Sequence, residues 1–138
     1  MAAIDGSALY GGWKVISTVV TTEGEGEQVI PSTGYLLFTP EHRISAIVGR
    51  PDRKPATNEA EELALARSLM AYTGRFELKE DHYVAKLDMS STQLALDEQQ
   101  IRYFRIDGDT LIISMPMRPS TVRPGVRDST VLTAVRER

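Results

Sequence analysis

The residues of this chain that are best suited to chemistry are an arginine, a tyrosine and two carboxylates near the ends of predicted strands. Arg102 lies near the start of the segment QIRYFRI, and Tyr35 opens the segment YLLF. Both kinds of side chain stabilise negative charge that develops on a carbonyl oxygen. Asp88 and Glu98 are placed to act as a general base. If the protein is an enzyme, these four are its predicted catalytic residues.

The same positions also fit a binding site that performs no reaction. Alternation along QIRYFRI puts Arg102 and Phe104 on one face of the strand, so this arginine is predicted to point inward beside an apolar ring. A mostly apolar pocket with few polar groups is the usual composition of a small-molecule site. The predicted ligand-binding residues are Tyr35, Arg50, Met89, Arg102, Phe104 and Met115.

A third interpretation gives the same arginine a structural role. If side chains fill the interior, Arg102 forms an ion pair with Glu98 or Asp88 and no ligand is bound. An inward carboxylate close to an inward Arg or Tyr favours the enzyme, whereas an apolar pocket with a single polar group favours the binding protein. The sequence leaves these alternatives open.

The two histidines are the other candidates for chemistry. His42 follows Glu41 and His82 follows Asp81, and two such pairs could bind a metal ion. Both pairs, however, lie in predicted tight turns, where polar residues are common. The glycines of EGEGE alternate with acidic residues that repel phosphate. We therefore expect neither a metal ion nor an organic cofactor.

Length and charge narrow the class of protein. The 138 residues fit one domain, residues 1–138, and the absence of cysteine excludes disulfides and thiol chemistry. The net charge of −3 argues against nucleic acid as a partner. No apolar run approaches the ~20 residues that span a bilayer, and MAAIDGSALY lacks the features of a signal peptide. We expect a cytoplasmic protein without membrane contact. The sequence does not decide whether the protein forms homo-oligomers.

Most of the chain reads as short β-strands. Three pairs of segments flank tight turns at TPEHR, KED and DGD, and the glycine of DGD is a strong hairpin signal. This spacing predicts an all-β domain. The eight predicted strands are WKVISTVV, YLLF, ISAIV, RFEL, HYVAKLDM, QIRYFRI, TLIISM and TVLTAVR.

One segment between the third and fourth predicted strands reads as a helix over residues 58–72. Asn58 can cap it, because Glu61 follows three residues later as in a capping box. The apolar residues Leu63, Leu69 and Met70 recur at helical spacing. We expect this stripe to pack against the sheet.

Connection lengths indicate how the strands assemble. If they form an up-and-down meander, the tight turns lie at one end and the long connections at the other. Eight antiparallel strands can close into a barrel that holds side chains or one small ligand. The sequence therefore predicts a pocket that opens between TTEGEGEQVIPST and MRPSTVRPGVR.

The only tryptophan lies at the opposite end of this predicted barrel. Trp13 follows Gly11 and Gly12, which allow neighbouring groups to approach its ring. Arg136, near the end of the last strand, lies at the same end and can stack on the indole. We therefore expect Gly11, Trp13 and Arg136 to close the base of the barrel as structural residues.

These residues carry a resemblance to a known family. LYGGW at the first strand, with an arginine near the end of the last, resembles the lipocalins and, more closely, the small lipocalin-like domain family. GYLLFTP, RPDRKP, the helix, AYTGRFEL and IRYFRIDGDTLIIS follow that family's order over nearly the whole chain. The departures are YVAKLDM in place of a His-rich strand, TQLALDE in place of a PNW-like segment, and Ala134 in place of a tryptophan.

The resemblance implies a barrel for a small molecule, and two functions remain. The first is a binding protein for a small apolar or amphipathic molecule. The second follows from lipocalin-like barrels of biosynthetic pathways, some of which act as cyclases or isomerases. In that case the protein is a cofactor-independent enzyme acting on a polyketide- or terpenoid-like intermediate.

Overall fold

The computed structural model describes residues 6–91, 99–120 and 124–138. These residues form nine β-strands, one α-helix and a short 3₁₀ helix, Gly6–Ala8. The elements are β1 (Gly11–Thr22), β2 (Gly26–Ile30), β3 (Thr33–Phe38), β4 (Arg43–Gly49), α1 (Glu59–Arg67), β5 (Leu69–Leu78), β6 (His82–Ser90), β7 (Gln99–Asp107), β8 (Thr110–Pro119) and β9 (Arg127–Arg136).

Eight of these strands close into an antiparallel barrel. From β3 to β9 each strand pairs with the next one in the sequence. The barrel closes because β1 pairs with β3 on one side and with β9 on the other. The prediction of a mainly β, eight-stranded antiparallel barrel with one helix is confirmed.

The strand β2 was not predicted. It pairs with the second half of β1, from Thr18 opposite Ile30 to Thr22 opposite Gly26, whereas β3 pairs with the first half. The prediction of one long loop over TTEGEGEQVIPST is therefore wrong. Gly24 and Gly26 have positive φ angles of 81° and 89°, which allow the acidic segment to turn back as a hairpin.

The helix is shorter than predicted, and it lies between β4 and β5 rather than between the third and fourth strands, because β2 adds one strand before it. Asn58 does cap it, since its side chain accepts a hydrogen bond of 2.9 Å from the Glu61 amide. The residues after Arg67 turn into β5, where Met70 pairs with Val48. Within the described residues, no helix is long and apolar enough to cross a membrane.

The predicted packing of the helix is also wrong. None of its residues is buried, and Leu63 is 52% exposed. Leu69 and Met70 reach the sheet as members of β5, because strand pairing with β4 overrides their helical spacing. The helix therefore flanks the barrel without contributing to its core.

The two ends of the barrel differ in their connections. We call the end with the β3–β4, β5–β6 and β7–β8 turns the base, and the opposite end the mouth. At the base, Trp13 is fully buried and its Nε1 donates a hydrogen bond of 2.9 Å to the Leu9 carbonyl. The Arg136 guanidinium lies 4.1 Å from the centre of the indole ring, and its Nη1 donates to the Tyr10 carbonyl. Gly11, with a φ of 115°, lies beside that guanidinium.

Aromatic rings fill part of the interior. Phe38 and Phe76 lie 5.5 Å apart, and Tyr83 lies 5.5 Å from Phe38 and 6.0 Å from Phe76. Phe104 extends this cluster, with its ring centre 6.0 Å from that of Tyr83. The tilted and edge-to-face arrangements are those that aromatic pairs prefer. This part of the barrel is therefore a packed core.

Candidate functional site

Arg102 is a buried arginine in the interior of the barrel. Arg102 is 6% exposed, and its Nη1 and Nη2 donate to the Ile101 carbonyl at 3.0 Å and to the Gln100 Oε1 at 3.1 Å. Its Nε is buried and has no hydrogen-bond partner among the described residues. Among the described residues, no carboxylate lies within 4.0 Å of this guanidinium. A buried charge with an unsatisfied donor lowers the stability of the fold. The guanidinium of Arg102 is therefore suited to donate a hydrogen bond to an oxygen atom of a ligand.

The alternation of β7 places this arginine inside. Gln100, Arg102 and Phe104 are buried, whereas Ile101 and Tyr103 between them are exposed. Pairing with β6 sets Arg102 opposite Tyr83, which also belongs to the aromatic cluster. The polar site therefore borders the packed core directly.

Two tyrosines belong to this polar site. Burial raises the pKa of the Tyr72 hydroxyl, and the positive charges of Arg102 and Arg118 oppose this shift. Burial raises the pKa of Tyr83 well above its usual value; Tyr72 adds to this shift and Arg102 opposes it. Both hydroxyls therefore keep their protons at neutral pH and can donate hydrogen bonds.

Arg118 is a site residue that sequence reasoning missed. A register shift separates Met115 from Arg118 on β8, so Arg118 pairs with Asp128 on β9. Burial and the charge of Arg102 lower the pKa of Arg118, while Asp128 and Tyr72 raise it. The connection lengths place Arg118 in a long connection at the mouth, within MRPSTVRPGVR, whereas the structure places it in β8. A strand bulge carries no sequence signal strong enough to have revealed this position.

A cavity of about 370 Å³ lies where β4, β5 and β6 meet. This volume is near the lower end of the range of about 300–1,000 Å³ that is typical of small-molecule pockets. The inward-facing Tyr72 belongs both to this cavity and to the group of residues around Arg102. The lining residues are Ala46, Ala71, Tyr72, Thr73, Met89, Ser90 and Ser91.

The predicted ligand-binding residues divide between the two faces of the wall. Phe104 is buried in the interior, and Met115 packs against the core from the same side. Tyr35 is 41% exposed on the outer face, and Arg50 forms an exposed ion pair of 3.3 Å with Asp52.

Met89, another predicted ligand-binding residue, does not lie on the inner face of its strand. A register shift between Thr73 and Gly74 of β5 moves the alternation by one residue, so Leu87 is buried and Met89 is 69% exposed. Met89 nevertheless lines the cavity at the edge of β6.

Of the two predicted carboxylates, Asp88 is described by the structure, and it does not contact Arg102. The Asp88 Oδ2 lies 2.6 Å from the Arg43 Nη2 in an ion pair on the outer surface. Glu98 lies outside the described residues. The predicted structural pair of Arg102 with Asp88 is therefore wrong, because neighbouring residues of β6 alternate between the two faces.

The two histidines make local contacts at the base. The His42 Nε2 lies 3.2 Å from the Tyr10 hydroxyl, and the His82 Nδ1 lies 2.7 Å from an Asp81 carboxylate oxygen. In residues 6–91, 99–120 and 124–138 no group of three or more His, Asp or Glu side chains is placed to hold a metal ion.

Comparison with known proteins gives one match. Residues 10–137 match the model of a family described as the lipocalin-like domain. The match extends from before the first strand of the barrel to the end of the last. No curated protein matches the chain.

Proposed function

The chain belongs to the lipocalin-like domain family, and from this we propose that it binds a small, largely apolar molecule in the interior of its barrel. One anionic or carbonyl group of that molecule accepts a hydrogen bond from Arg102. The observation that carries the proposal is the buried Nε of Arg102, which has no hydrogen-bond partner in the part of the chain that the structure describes. A ligand oxygen at this position satisfies the donor and offsets part of the cost of burying the charge.

The apolar part of the ligand needs space beside this group. The cavity next to Tyr72 supports the proposal, since its volume of about 370 Å³ suits a small molecule. Phe104 and Met115, which lie on the inner face, offer apolar contacts on the side of β7 and β8. Met115 is suited to ligands of irregular shape because its side chain is flexible and polarisable.

Calorimetric titration of the purified protein with two ten-carbon probes tests the proposal. Decanoate carries an anionic group, and decanol has the same chain with a neutral one. We expect both probes to bind saturably at one site per chain. A control variant, Arg105→Met, should bind both probes as the wild-type protein does, because Arg105 lies exposed on the outer face of the strand that carries Arg102. Failure of both probes to bind the wild-type protein would overturn the proposal.

The cyclase or isomerase activity stays a prediction that rests on the resemblance. It requires a base within reach of an inward Arg or Tyr. Asp88 pairs with Arg43 on the outer surface. Glu98 lies outside the described residues, so no described carboxylate supports the catalytic role.

A further inference from the structure

We infer that the bound molecule is a carboxylic acid in its ionised form, whose carboxylate lies between Arg102 and Arg118 and accepts a hydrogen bond from Tyr72. This inference rests on the proposed function and adds the chemical class of the ligand.

Both arginines face the interior of the barrel. Arg102 is buried on the inner face of β7. Arg118 pairs with Asp128 on β9, and the alternation of β9 sets Asp128 on the same face as Leu132 and Ala134, which are buried inside the barrel. The Arg118 Nη2 also lies 4.0 Å from the sulfur of Met115, which packs against the core.

The positive charges of Arg102 and Arg118 are incompletely balanced. The charge of each guanidinium lowers the pKa of Tyr72, and the charge of Arg102 also lowers the pKa of Arg118. The negative charge of Asp128 opposes this effect by raising the pKa of Arg118. Within the described parts of the chain, no carboxylate lies within 4.0 Å of either guanidinium. One anion placed between the two arginines therefore removes their repulsion and supplies the missing acceptor.

A carboxylate fits between the two arginines better than a neutral polar group does. A neutral carbonyl or hydroxyl leaves both charges uncompensated, whereas a carboxylate brings one full negative charge. Its two oxygens match the planar fork of a guanidinium, and further lone pairs remain for a third donor. Tyr72 is suited to be that donor, because burial keeps its hydroxyl protonated at neutral pH.

The test compares four ten-carbon probes by calorimetry at neutral pH: decanoate, decanamide, decanol and decyl phosphate. A charge-assisted hydrogen bond contributes about 1.5–3 kcal/mol, so we expect decanoate to bind about 10–150-fold more tightly than decanol and decanamide. Equal affinities of decanoate and decanol would overturn the inference while leaving the proposed function intact. Tighter binding of decyl phosphate than of decanoate would also overturn the carboxylate assignment.

Variants test the two arginines separately. Arg102→Met and Arg118→Met should each weaken decanoate by about 10-fold or more while changing decanol by less than about 2-fold. The matched controls are Arg105→Met and Arg127→Met, because both arginines are exposed on neighbouring parts of the same sheet. The lysine variants R102K and R118K keep the positive charge but lack the planar guanidinium. They replace a methionine variant in this test if that variant does not fold.

The variants also separate the two possible failures. A loss for decanoate that is matched by an equal loss for decanol would show that the arginines shape the barrel, and it would overturn the inference. If decanoate binding survives Arg118→Met unchanged, the carboxylate is not shared between the arginines and the inference fails. If no probe binds the wild-type protein, the proposed function itself fails.

Discussion

Arg102 carries a positive charge in a place where the described protein atoms do not satisfy all its donors. Its Nη1 and Nη2 donate to Ile101 and Gln100, while its Nε has no hydrogen-bond partner in residues 6–91, 99–120 and 124–138. Groups of this kind lower the stability of a folded protein when nothing else is bound. At the scale of single residues, binding and stability therefore make opposite demands at this position.

This conflict predicts how the unliganded protein responds to Arg102→Met. Since methionine fills a similar volume without a charge, we expect the free energy of unfolding to stay unchanged or to rise by about 1–2 kcal/mol. Urea unfolding of the ligand-free protein measures this change. A loss of more than about 2 kcal/mol would show that the arginine supports the fold, as in the ion pair with Glu98 that the sequence allows.

Trp13 makes the opposite case, because every part of its side chain has a partner. It is fully buried, its Nε1 donates to Leu9, and the Arg136 guanidinium lies over its ring. We expect Trp13→Ala to lower the free energy of unfolding by about 3–5 kcal/mol, the usual cost of truncating a buried aromatic residue. Trp13→Phe is the milder control. A loss below about 1 kcal/mol for the alanine variant would contradict the structural role.

The two interior tyrosines predict a loss of stability at alkaline pH. Burial raises the pKa of Tyr72 and, more strongly, that of Tyr83. In the unfolded chain both hydroxyls ionise near about pH 10, whereas in the folded protein they keep their protons to higher pH. Above about pH 10 the folded state thus binds more protons than the unfolded state, and stability falls as pH rises.

Urea unfolding at a series of alkaline pH values measures this effect. Tyr83→Phe removes the most shifted group, so its unfolding free energy should decline less steeply above about pH 10 than that of the wild-type protein. Tyr103→Phe, at a partly exposed tyrosine of the outer face, is the matched control. Equal slopes for the wild-type protein and Tyr83→Phe would contradict the assignment.

At the scale of strands, two glycines allow close approach of neighbouring backbones. A Cβ atom added to Gly34 would lie 1.9 Å from the Ile47 carbonyl oxygen, and one added to Gly74 would lie 2.3 Å from the Lys86 carbonyl oxygen. Gly34 pairs with Val15 at the end of the β1–β3 pairing, beyond which β1 pairs with β2 instead. Gly74 lies at the register shift between β5 and β6. Both glycines therefore permit the irregular pairings that shape the barrel wall.

We expect Gly74→Ala to lower the free energy of unfolding by at least about 2 kcal/mol, because the clash involves backbone atoms that no rotamer change relieves. Gly24→Ala is the matched control. Gly24 has a positive φ of 81° but nothing within 4 Å of an added Cβ, so its cost should stay near about 1 kcal/mol. Equal losses in the two variants would show that close packing at Gly74 is not what requires a glycine.

The strands and tight turns followed from the sequence because alternation and turn residues are local signals. The extra strand β2 did not, since EGEGEQV lacks the apolar alternation of a half-buried strand and its residues are mostly exposed. The end of the helix was wrong because Leu69 and Met70 satisfy a helical spacing and a strand equally well. Local pattern alone does not decide between them, and pairing with β4 does.

The candidate site was predicted only in part for a related reason. Alternation gave the inward direction of Arg102 and Phe104, which lie in a regular strand. Met89 and Arg118 each follow a register shift, which moves every later side chain to the other face. Such register shifts depend on contacts with the neighbouring strand, so the sequence of one strand alone does not predict them.

At the scale of the whole molecule, the barrel combines a packed region with a polar site. The aromatic cluster and Trp13 fill the region toward the base, and Tyr83 joins this cluster to the group around Arg102. The rigid core therefore holds the polar groups in place before a ligand arrives, which reduces the entropy that binding costs. A ligand that binds only the folded barrel must also stabilise it.

The most direct test of this account is an NMR titration of ¹⁵N-labelled protein with decanoate, observed through backbone amides and the single indole signal of Trp13. Binding inside the barrel predicts saturable shifts at the amides of Tyr72, Arg102 and Arg118, while the Trp13 indole at the base stays in place. The account would be contradicted if the spectrum did not respond saturably, or if the shifts were confined to outward-facing residues such as Leu37.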